Sequence, residues 1–173
     1  CGEYDFKLRH HLNHTAHGIP GEKYRYSGWL FGMVTQAVEA ATGQYFSKLL
    51  TDEITSPLIL ENTIPNQSDK HSVNLISLRA RPYQITGKNQ YKFSRFPGGI
   101  RASAGMVSTV QDLARFDAAI DRNELISTDN KEIMWAPAVL NDGAVSPYAI
   151  GWFVQKHESY GRIIWHYGWQ PDM

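Results

Sequence analysis

The feature that most constrains the fold is a change in hydrophobic spacing, from a helical period early in the chain to strand-like segments at its end. Residues 27–42 carry apolar side chains at steps of three and four, and Ser27 is suited to cap the start of this helix. Residues 148–157 and 162–167 are rich in β-branched and aromatic side chains on either side of a turn, which predicts a β-hairpin. The chain is therefore expected to be α/β in class, in the α+β sense, with helices first and antiparallel strands last.

Other segments support the same order. A second helix is predicted over residues 45–54, since a proline soon follows and prevents its continuation. Residues 64–101 are rich in Asn, Gln, Ser, Gly and Pro and have no sustained period, which predicts a long ordered surface loop. Thr109 and Asp112 have the spacing of a capping box before a further helix, and Ser127 can cap a shorter one.

Composition narrows the class of protein. With 173 residues, of which 42% are hydrophobic, the chain can bury a core and is expected to form one domain. Lys plus Arg equals Asp plus Glu at 17 each, so no basic field that would favour nucleic acid is present. No apolar run approaches the roughly 18 residues that a membrane-spanning helix needs. Cys1 is the only cysteine, which excludes an internal disulfide.

Four short motifs occur in a recognisable order, and they extend over nearly the whole chain. They are residues 8–18, with the sequence LRHHLNHTAHG; Tyr26-Ser27-Gly28; residues 103–116, with the sequence SAGMVSTVQDLARF; and His166-Tyr167-Gly168. Together they resemble the β-lactamase-related serine hydrolases, the group of class C β-lactamases, DD-peptidases and related esterases. The resemblance implies an incomplete β-lactamase/DD-peptidase-like domain over residues 1–173. Residues 1–140 would form a mainly helical subdomain with the long loop 64–101, and residues 146–173 would supply strands of the sheet domain.

The nucleophile of that family is absent from the sequence. The family uses Ser-x-x-Lys, in which the lysine lies one helical turn after the serine and helps to remove its proton. None of the serines here has Lys three positions later. In the family this motif precedes the segment that matches residues 8–18. The chain also opens on Cys1 and stops at Met173, inside the last motif. We therefore expect a fragment whose nucleophile lies upstream of Cys1.

Tyr26 is the first candidate catalytic residue. The reference pKa of tyrosine is about 10, and nearby cationic groups that stabilise phenolate make tyrosine a usable proton acceptor at neutral pH. The resemblance implies that Tyr26 opens the family's Tyr-x-Asn motif and helps to activate the serine. Gly28 replaces the usual Asn and would be a substrate-binding position without an amide side chain. That change favours an esterase or small-amide hydrolase over a true β-lactamase, although Gly28 is also explained by crowding between helix and loop.

His166 is the second candidate catalytic residue, since His166-Tyr167-Gly168 resembles the His-x-Gly version of the family's Lys-Thr-Gly motif. A histidine in that place can donate a hydrogen bond to a substrate carboxylate or to the tetrahedral intermediate. Gly168 would allow a substrate to approach the strand backbone closely. The resemblance implies substrate-binding roles for Tyr167, Gly168 and Trp169, with the Trp169 amide as one oxyanion donor.

The histidines of the first motif allow a different interpretation. On a helix, His10, His14 and His17 would share one face at a plausible metal-ligand spacing, but no carboxylate or cysteine completes a known signature. The resemblance instead matches His14 and Thr15 to a structural His-Thr pair near the site. Ser108 is interpreted as a helix cap near the site rather than as a nucleophile, because no Lys or His adjoins it.

The motifs favour a serine hydrolase that acts on an ester or amide substrate, small molecule or peptide, through an acyl-enzyme. The resemblance implies no metal or organic cofactor and a periplasmic or secreted bacterial location. One alternative is a noncatalytic binding protein that holds peptidoglycan-like or acylated ligands in the same cleft. Another is a purely structural helical domain, for which the placement of Tyr26 and His166 would be coincidence; side chains that lie far apart on different surfaces would favour it.

Overall fold

The computed structural model describes residues 5–65, 70–94 and 99–168. The helices are α1 (Leu8–Leu12), α2 (Gly28–Gly32), α3 (Val34–Thr42), α4 (Phe46–Leu50), a π-helical turn (Thr51–Thr55), α5 (Lys70–Ser77), α6 (Val110–Asp121) and α7 (Thr128–Met134). The strands are β1 (Tyr83–Gly87), β2 (Gln90–Phe93), β3 (Phe153–His157) and β4 (Gly161–Trp165). Within these residues the fold is α+β, as predicted. None of the helices described is long and apolar enough to cross a bilayer.

The first predicted helix forms as two consecutive helices. The Ser27 hydroxyl accepts a hydrogen bond from the Leu30 N–H (3.2 Å) and caps α2, and Gly43 ends α3 in a left-handed conformation with φ 68°. The break lies at Met33, directly after the buried Gly32, whose lack of a side chain weakens helix propagation. The predicted helix over residues 45–54 is confirmed as α4 and the π-helical turn.

The segment 64–101 differs from the predicted loop, since it contains α5 and the antiparallel pair β1–β2. Helix α5 has only eight residues, too few to produce a sustained hydrophobic period. The side chains of β1 and β2 are almost all exposed, so the strands lack the alternation that marks a half-buried sheet. The pattern that would have revealed these elements is therefore absent from their sequences.

Side-chain caps fix the ends of α6 and α7. The Asp112 N–H donates to the Thr109 hydroxyl (3.3 Å), and the Asn130 N–H donates to the Ser127 hydroxyl (3.3 Å), as the sequence predicts. At the other end of α6, the buried ammonium of Lys131 donates to the carbonyls of Ile120 (2.8 Å) and Asp121 (3.2 Å). These contacts satisfy backbone groups that a helix leaves without partners at its ends.

The C-terminal hairpin is confirmed, with shorter strands than predicted. Strands β3 and β4 pair without a bulge from Phe153↔Trp165 to His157↔Gly161. The residues before β3 form a tight bend instead of a strand, because Gly151 has φ 79° and the Ala149 N–H donates to the Trp152 carbonyl (2.8 Å). This bend places Tyr148 beside the start of β3.

The described chain divides into two compact units. The first unit contains residues 5–44, 102–104 and 118–166, and the second contains residues 45–65, 70–94, 99–101, 105–117 and 167–168. The buried apolar side chains of the first unit are Ala16, Val34, Ala119, Ile120, Tyr148 and Ala149. Those of the second unit are Leu60 and Ile64, the latter paired with Val107 in an isolated β-bridge.

Candidate active site

The candidate site is built around His14, which the end of α1 places in an unusual conformation. Helix α1 ends at Leu12, and His14 has a left-handed backbone with φ 58°. Its side chain is 2% exposed. The His14 carbonyl accepts a hydrogen bond from the Arg25 N–H (2.9 Å), which holds the segment before Tyr26 against it.

The early end of α1 removes the geometry on which a metal-binding interpretation depended. His10 lies in the helix, whereas His14 and His17 follow its end, so the three side chains do not share a helical face. Within residues 5–65, 70–94 and 99–168, no group of three His, Cys, Asp or Glu side chains is placed to hold a metal ion.

Tyr26 packs directly on His14. Their ring centroids lie 4.1 Å apart, and the N–H of Ser27 donates to His14 Nδ1 (3.2 Å). The tyrosine is 43% exposed, so one side of it rests on the buried imidazole while another faces solvent. Ser27 also caps α2, and the same short segment therefore orients Tyr26 and begins the helix.

Tyr148 is a site residue that the sequence reasoning missed. It is 1% exposed, and its ring centroid lies 4.6 Å from that of His14 and 4.7 Å from that of Phe153. Its hydroxyl lies 2.8 Å from Nε2 of His166. A buried tyrosine hydroxyl needs a hydrogen-bond partner, and this requirement was the signal that could have pointed to Tyr148. The identity of the partner is known only from the fold.

His166 follows β4 and reaches the same cluster of rings. Its ring centroid lies 6.1 Å from that of Tyr26 and 5.6 Å from that of Phe153. His166 is exposed, whereas Tyr148 behind it is buried. The structure thus brings the two predicted catalytic residues together within the first unit. A wide separation of these two side chains would have favoured the purely structural interpretation, and the rings are instead neighbours.

The electrostatics of His14 follow from its burial. Removal from water, together with the smaller effects of the nearby His166 and His17, lowers the pKa of His14 from its usual 6.5 to about 4. His14 is therefore neutral at pH 7, with Nδ1 accepting from Ser27 and the proton on Nε2. Among the described residues, Nε2 is buried and has no hydrogen-bond partner. An unsatisfied buried donor costs about 1–3 kcal/mol.

Gly28 is the first residue of α2, two positions after Tyr26. A Cβ atom built at this position meets nothing within 4 Å. Crowding between helix and loop therefore does not explain the glycine. The position is open to a Cβ atom.

The remaining predicted residues lie in several environments. Thr15 is buried, and its hydroxyl lies 2.7 Å from the side-chain amide group of Asn13; its structural role near the site stays a prediction. Ser108 does not cap α6. Thr109 does so, and the Ser108 hydroxyl instead bonds to that of Thr63 (2.8 Å) in the second unit.

The last predicted motif is described only in part. Tyr167 is 51% exposed, and Gly168 is the last residue that the structure describes. Trp169 lies outside the described residues. The substrate-binding roles of these three residues stay predictions.

Comparisons with known proteins agree with the motifs. The family described as beta-lactamase matches residues 5–172. Penicillin-binding protein 4* of Bacillus subtilis strain 168 is 25% identical over 161 residues, which is 88% of this chain and 36% of that protein. A D-aminopeptidase of Gluconobacter oxydans is 23% identical over 154 residues, 86% of this chain and 27% of that protein. The chain thus spans about a third of the length of these curated relatives.

A solved structure supports the fold independently. The D-amino acid amidase of Ochrobactrum anthropi SV3, in complex with L-phenylalanine amide, superposes with a TM-score of 0.72 at 19% identity. The superposition covers 95% of this chain and 57% of that one. Because the family match extends over almost the whole chain and the fold agrees with it, the chain belongs to the beta-lactamase family, and its fold is of the β-lactamase/DD-peptidase type.

Proposed function

We propose that the protein is a serine hydrolase that cleaves an ester or amide bond through an acyl-enzyme. The observation that carries this proposal is the proximity of Tyr26 and His166, whose ring centroids are 6.1 Å apart in a chain that belongs to the beta-lactamase family. A half-exposed tyrosine beside an exposed histidine provides two groups that can move or donate protons at a surface open to substrate. No Ser-x-x-Lys occurs in the 173 residues of the sequence, and the proposal places the nucleophilic serine outside them.

The reaction proceeds in two halves. The serine Oγ attacks the carbonyl carbon of the substrate while Tyr26, together with the lysine of Ser-x-x-Lys, accepts the hydroxyl proton. The tetrahedral intermediate collapses, the C–N or C–O bond breaks, and the leaving group takes that proton. Water then attacks the acyl-serine ester, and the carboxylic acid product leaves with the serine regenerated.

The developing oxyanion is stabilised by donors on the substrate-binding side. His166 donates to the intermediate, and Tyr167, Gly168 and Trp169 bind substrate, as their motif implies. Gly28 adds open space next to Tyr26 instead of an amide side chain. A site with space at this position accepts ester and small-amide substrates without needing an amide contact from the protein.

The names of the relatives support D-amino-acid derivatives as the substrate class. One relative is a D-aminopeptidase, and the solved structure with a similar fold is a D-amino acid amidase. We include a periplasmic or secreted location in the proposal, because a penicillin-binding protein is among the relatives.

Covalent labelling tests the proposal. The full-length protein is treated with a fluorescent fluorophosphonate, which reacts with an activated serine. The expected result is one labelled site, with the labelling rate reduced about 100-fold in Tyr26→Phe. The control Tyr160→Phe removes the hydroxyl of a tyrosine that is 78% exposed in the first unit, and we expect it to label at the normal rate.

A second measurement separates the enzyme from the noncatalytic binder. If the wild-type protein fails to label but still binds a penicillin or a D-alanyl peptide in calorimetry, the binding-protein alternative replaces the hydrolase. If it labels, hydrolysis of D-amino acid amides is compared with that of matched L-amides and p-nitrophenyl esters. Faster turnover of the L-amides than of the D-amides would remove the proposed substrate class while leaving the hydrolase intact.

A further inference from the structure

We infer that Tyr148 is a positioning residue that fixes the tautomer of His166, so that Nε2 accepts a hydrogen bond and the imidazole proton resides on Nδ1. The inference deepens the proposed function, since it specifies the form in which His166 faces substrate. It rests on the 2.8 Å contact between the Tyr148 hydroxyl and His166 Nε2 and on the nearly complete burial of Tyr148.

Tyr148 is held rigidly enough to act as a reference point. Its N–H donates to the Ser146 hydroxyl (3.1 Å), and its carbonyl accepts from the Ala138 N–H (3.0 Å). Its ring packs edge-on against Phe153 and tilted against His14, with centroid separations of 4.7 and 4.6 Å. The Tyr148 hydroxyl therefore has a fixed position against which the more exposed imidazole of His166 is oriented. Because the Tyr148 side chain is already held in place, it loses little conformational entropy when this hydrogen bond forms.

The direction of the hydrogen bond follows from acid–base matching. Phenol is the stronger acid of the pair, with a reference pKa of about 10, and the unprotonated nitrogen of neutral imidazole is a good acceptor. The phenol O–H of Tyr148 accordingly donates to Nε2 of His166. A neutral imidazole carries one proton, so that proton must reside on Nδ1.

His14 provides the opposite case within the same cluster. The Ser27 backbone N–H can only donate, so His14 Nδ1 accepts and the His14 proton is on Nε2. The neutral forms of the two histidines are thus expected to be opposite tautomers. This difference makes each histidine an internal standard for the other.

The tautomer has a chemical consequence at the site. In its neutral form, with the proton on Nδ1, the His166 imidazole is an uncharged hydrogen-bond donor. An uncharged donor suits a carbonyl or an oxyanion, whereas a lysine at the corresponding place would favour a substrate carboxylate. The assignment therefore supports amide and ester substrates that carry no carboxylate next to the reacting bond.

Nitrogen NMR tests the inference without requiring activity. The full-length protein is labelled with ¹⁵N-histidine, and long-range proton–nitrogen spectra are recorded at pH 8. His14→Gln and His166→Gln identify the two residues. We expect the Nδ1–H pattern for His166 and the Nε2–H pattern for His14. An Nε2–H pattern for His166 would overturn the inference.

Tyr148→Phe then tests the cause. The variant keeps the buried ring and removes only the hydroxyl, so we expect His166 to change towards a mixture of tautomers while His14 keeps its pattern. An unchanged His166 spectrum would contradict the role of Tyr148, and Tyr160→Phe is the matched control. If Tyr148→Phe does not fold, the wild-type spectrum still decides the tautomer.

Kinetics provide a separate readout. We expect Tyr148→Phe to lower kcat about fivefold, the loss that corresponds to one neutral hydrogen bond, with KM little changed. A failed labelling experiment would overturn the proposed hydrolase but would leave the NMR assignment standing. A failed NMR experiment would overturn only the positioning role.

Discussion

His14 and Asp112 are both almost fully buried polar side chains, at 2% and 1% exposure, and they differ in how their hydrogen-bonding groups are satisfied. Asp112 Oδ2 accepts from the Asn62 N–H (2.8 Å) and the Thr63 hydroxyl (2.9 Å), and Oδ1 accepts from Arg115 Nη1 (3.3 Å). His14 Nδ1 has one donor, and Nε2 has no partner among the described residues.

The difference separates two uses of a buried polar group. A carboxylate with three donors links the start of α6 to the Asn62–Thr63 turn and stabilises the second unit. A half-satisfied imidazole stabilises less, and a role in a functional site is one recognised reason for such a group. The second unit thus shows a structural network, and the first unit shows the environment of the candidate site. Four predictions test this contrast, in order of decreasing effect.

Removal of the Asp112 carboxylate, whose hydrogen bonds are satisfied, is expected to lower the free energy of unfolding the most. Asp112→Ala leaves the Asn62 N–H and the Thr63 hydroxyl without their acceptor, and we expect the free energy of unfolding to fall by about 4 kcal/mol. Urea denaturation measures the loss. Asp117→Ala, at an exposed position of the same helix, is the control with an expected change below about 0.5 kcal/mol. Equal losses in both variants would show that the Asp112 network does not stabilise the unit.

Burial of His14 should make the free energy of unfolding depend on pH. Because the pKa of His14 is about 4 in the folded protein and near 6.5 when unfolded, the unfolded chain binds the proton more tightly. The free energy of unfolding should therefore decrease by up to about 3 kcal/mol as the pH falls from 6.5 to 4. The effect is measured by urea denaturation across this window.

A matched pair of variants assigns that pH dependence. His14→Gln should remove this part of the slope, because the variant has no imidazole to protonate, whereas His157→Gln in β3 should retain it. If His14→Gln keeps the wild-type slope, the buried imidazole is not the titrating group.

A smaller change sharpens the description of the Asp112 network. Thr63→Val keeps the shape of the side chain and removes one of three donors to Asp112, together with the hydrogen bond to the Ser108 hydroxyl, with an expected loss of about 1–2 kcal/mol. Thr128→Val, at an exposed position, is the control. A double variant with Asp112→Ala should lose less than the sum of the single losses, because the two residues share one hydrogen bond. Strict additivity would argue against that bond.

The smallest effect concerns the open position beside Tyr26. Gly28→Ala should raise the free energy of unfolding by about 0.5 kcal/mol, because alanine favours the helix and its Cβ meets no atom within 4 Å. Gly43→Ala should instead lower it by about 1 kcal/mol, since Gly43 has φ 68°. Thermal unfolding of the two variants measures both signs. A loss in Gly28→Ala would mean that the position is less open than its surroundings indicate.

The predictable parts of the fold are those with strong local signals. Ser27, Thr109 and Ser127 cap helices as their spacing predicts, and the aromatic and β-branched residues near the end form the β3–β4 hairpin. Helix α5 and the β1–β2 pair were missed because neither buries a periodic face.

The site was predictable only as far as motifs extend. Tyr26 and His166 belong to recognisable triplets, and the fold brings them together. Tyr148 belongs to no such triplet, and its importance comes from a contact with His166 across 18 positions of the chain. The left-handed conformation of His14 was also unpredictable, because non-glycine residues rarely adopt it without tertiary support.

The bulge-free pairing of β3 with β4 limits how this protein can change during evolution. Side chains alternate between the two faces of a strand, so a single inserted or deleted residue in the hairpin turn would shift Trp165 out of register with Phe153. The same slip would carry the following histidine away from the tyrosine that it contacts. The turn at residues 158–160 should therefore tolerate many substitutions but few changes in length.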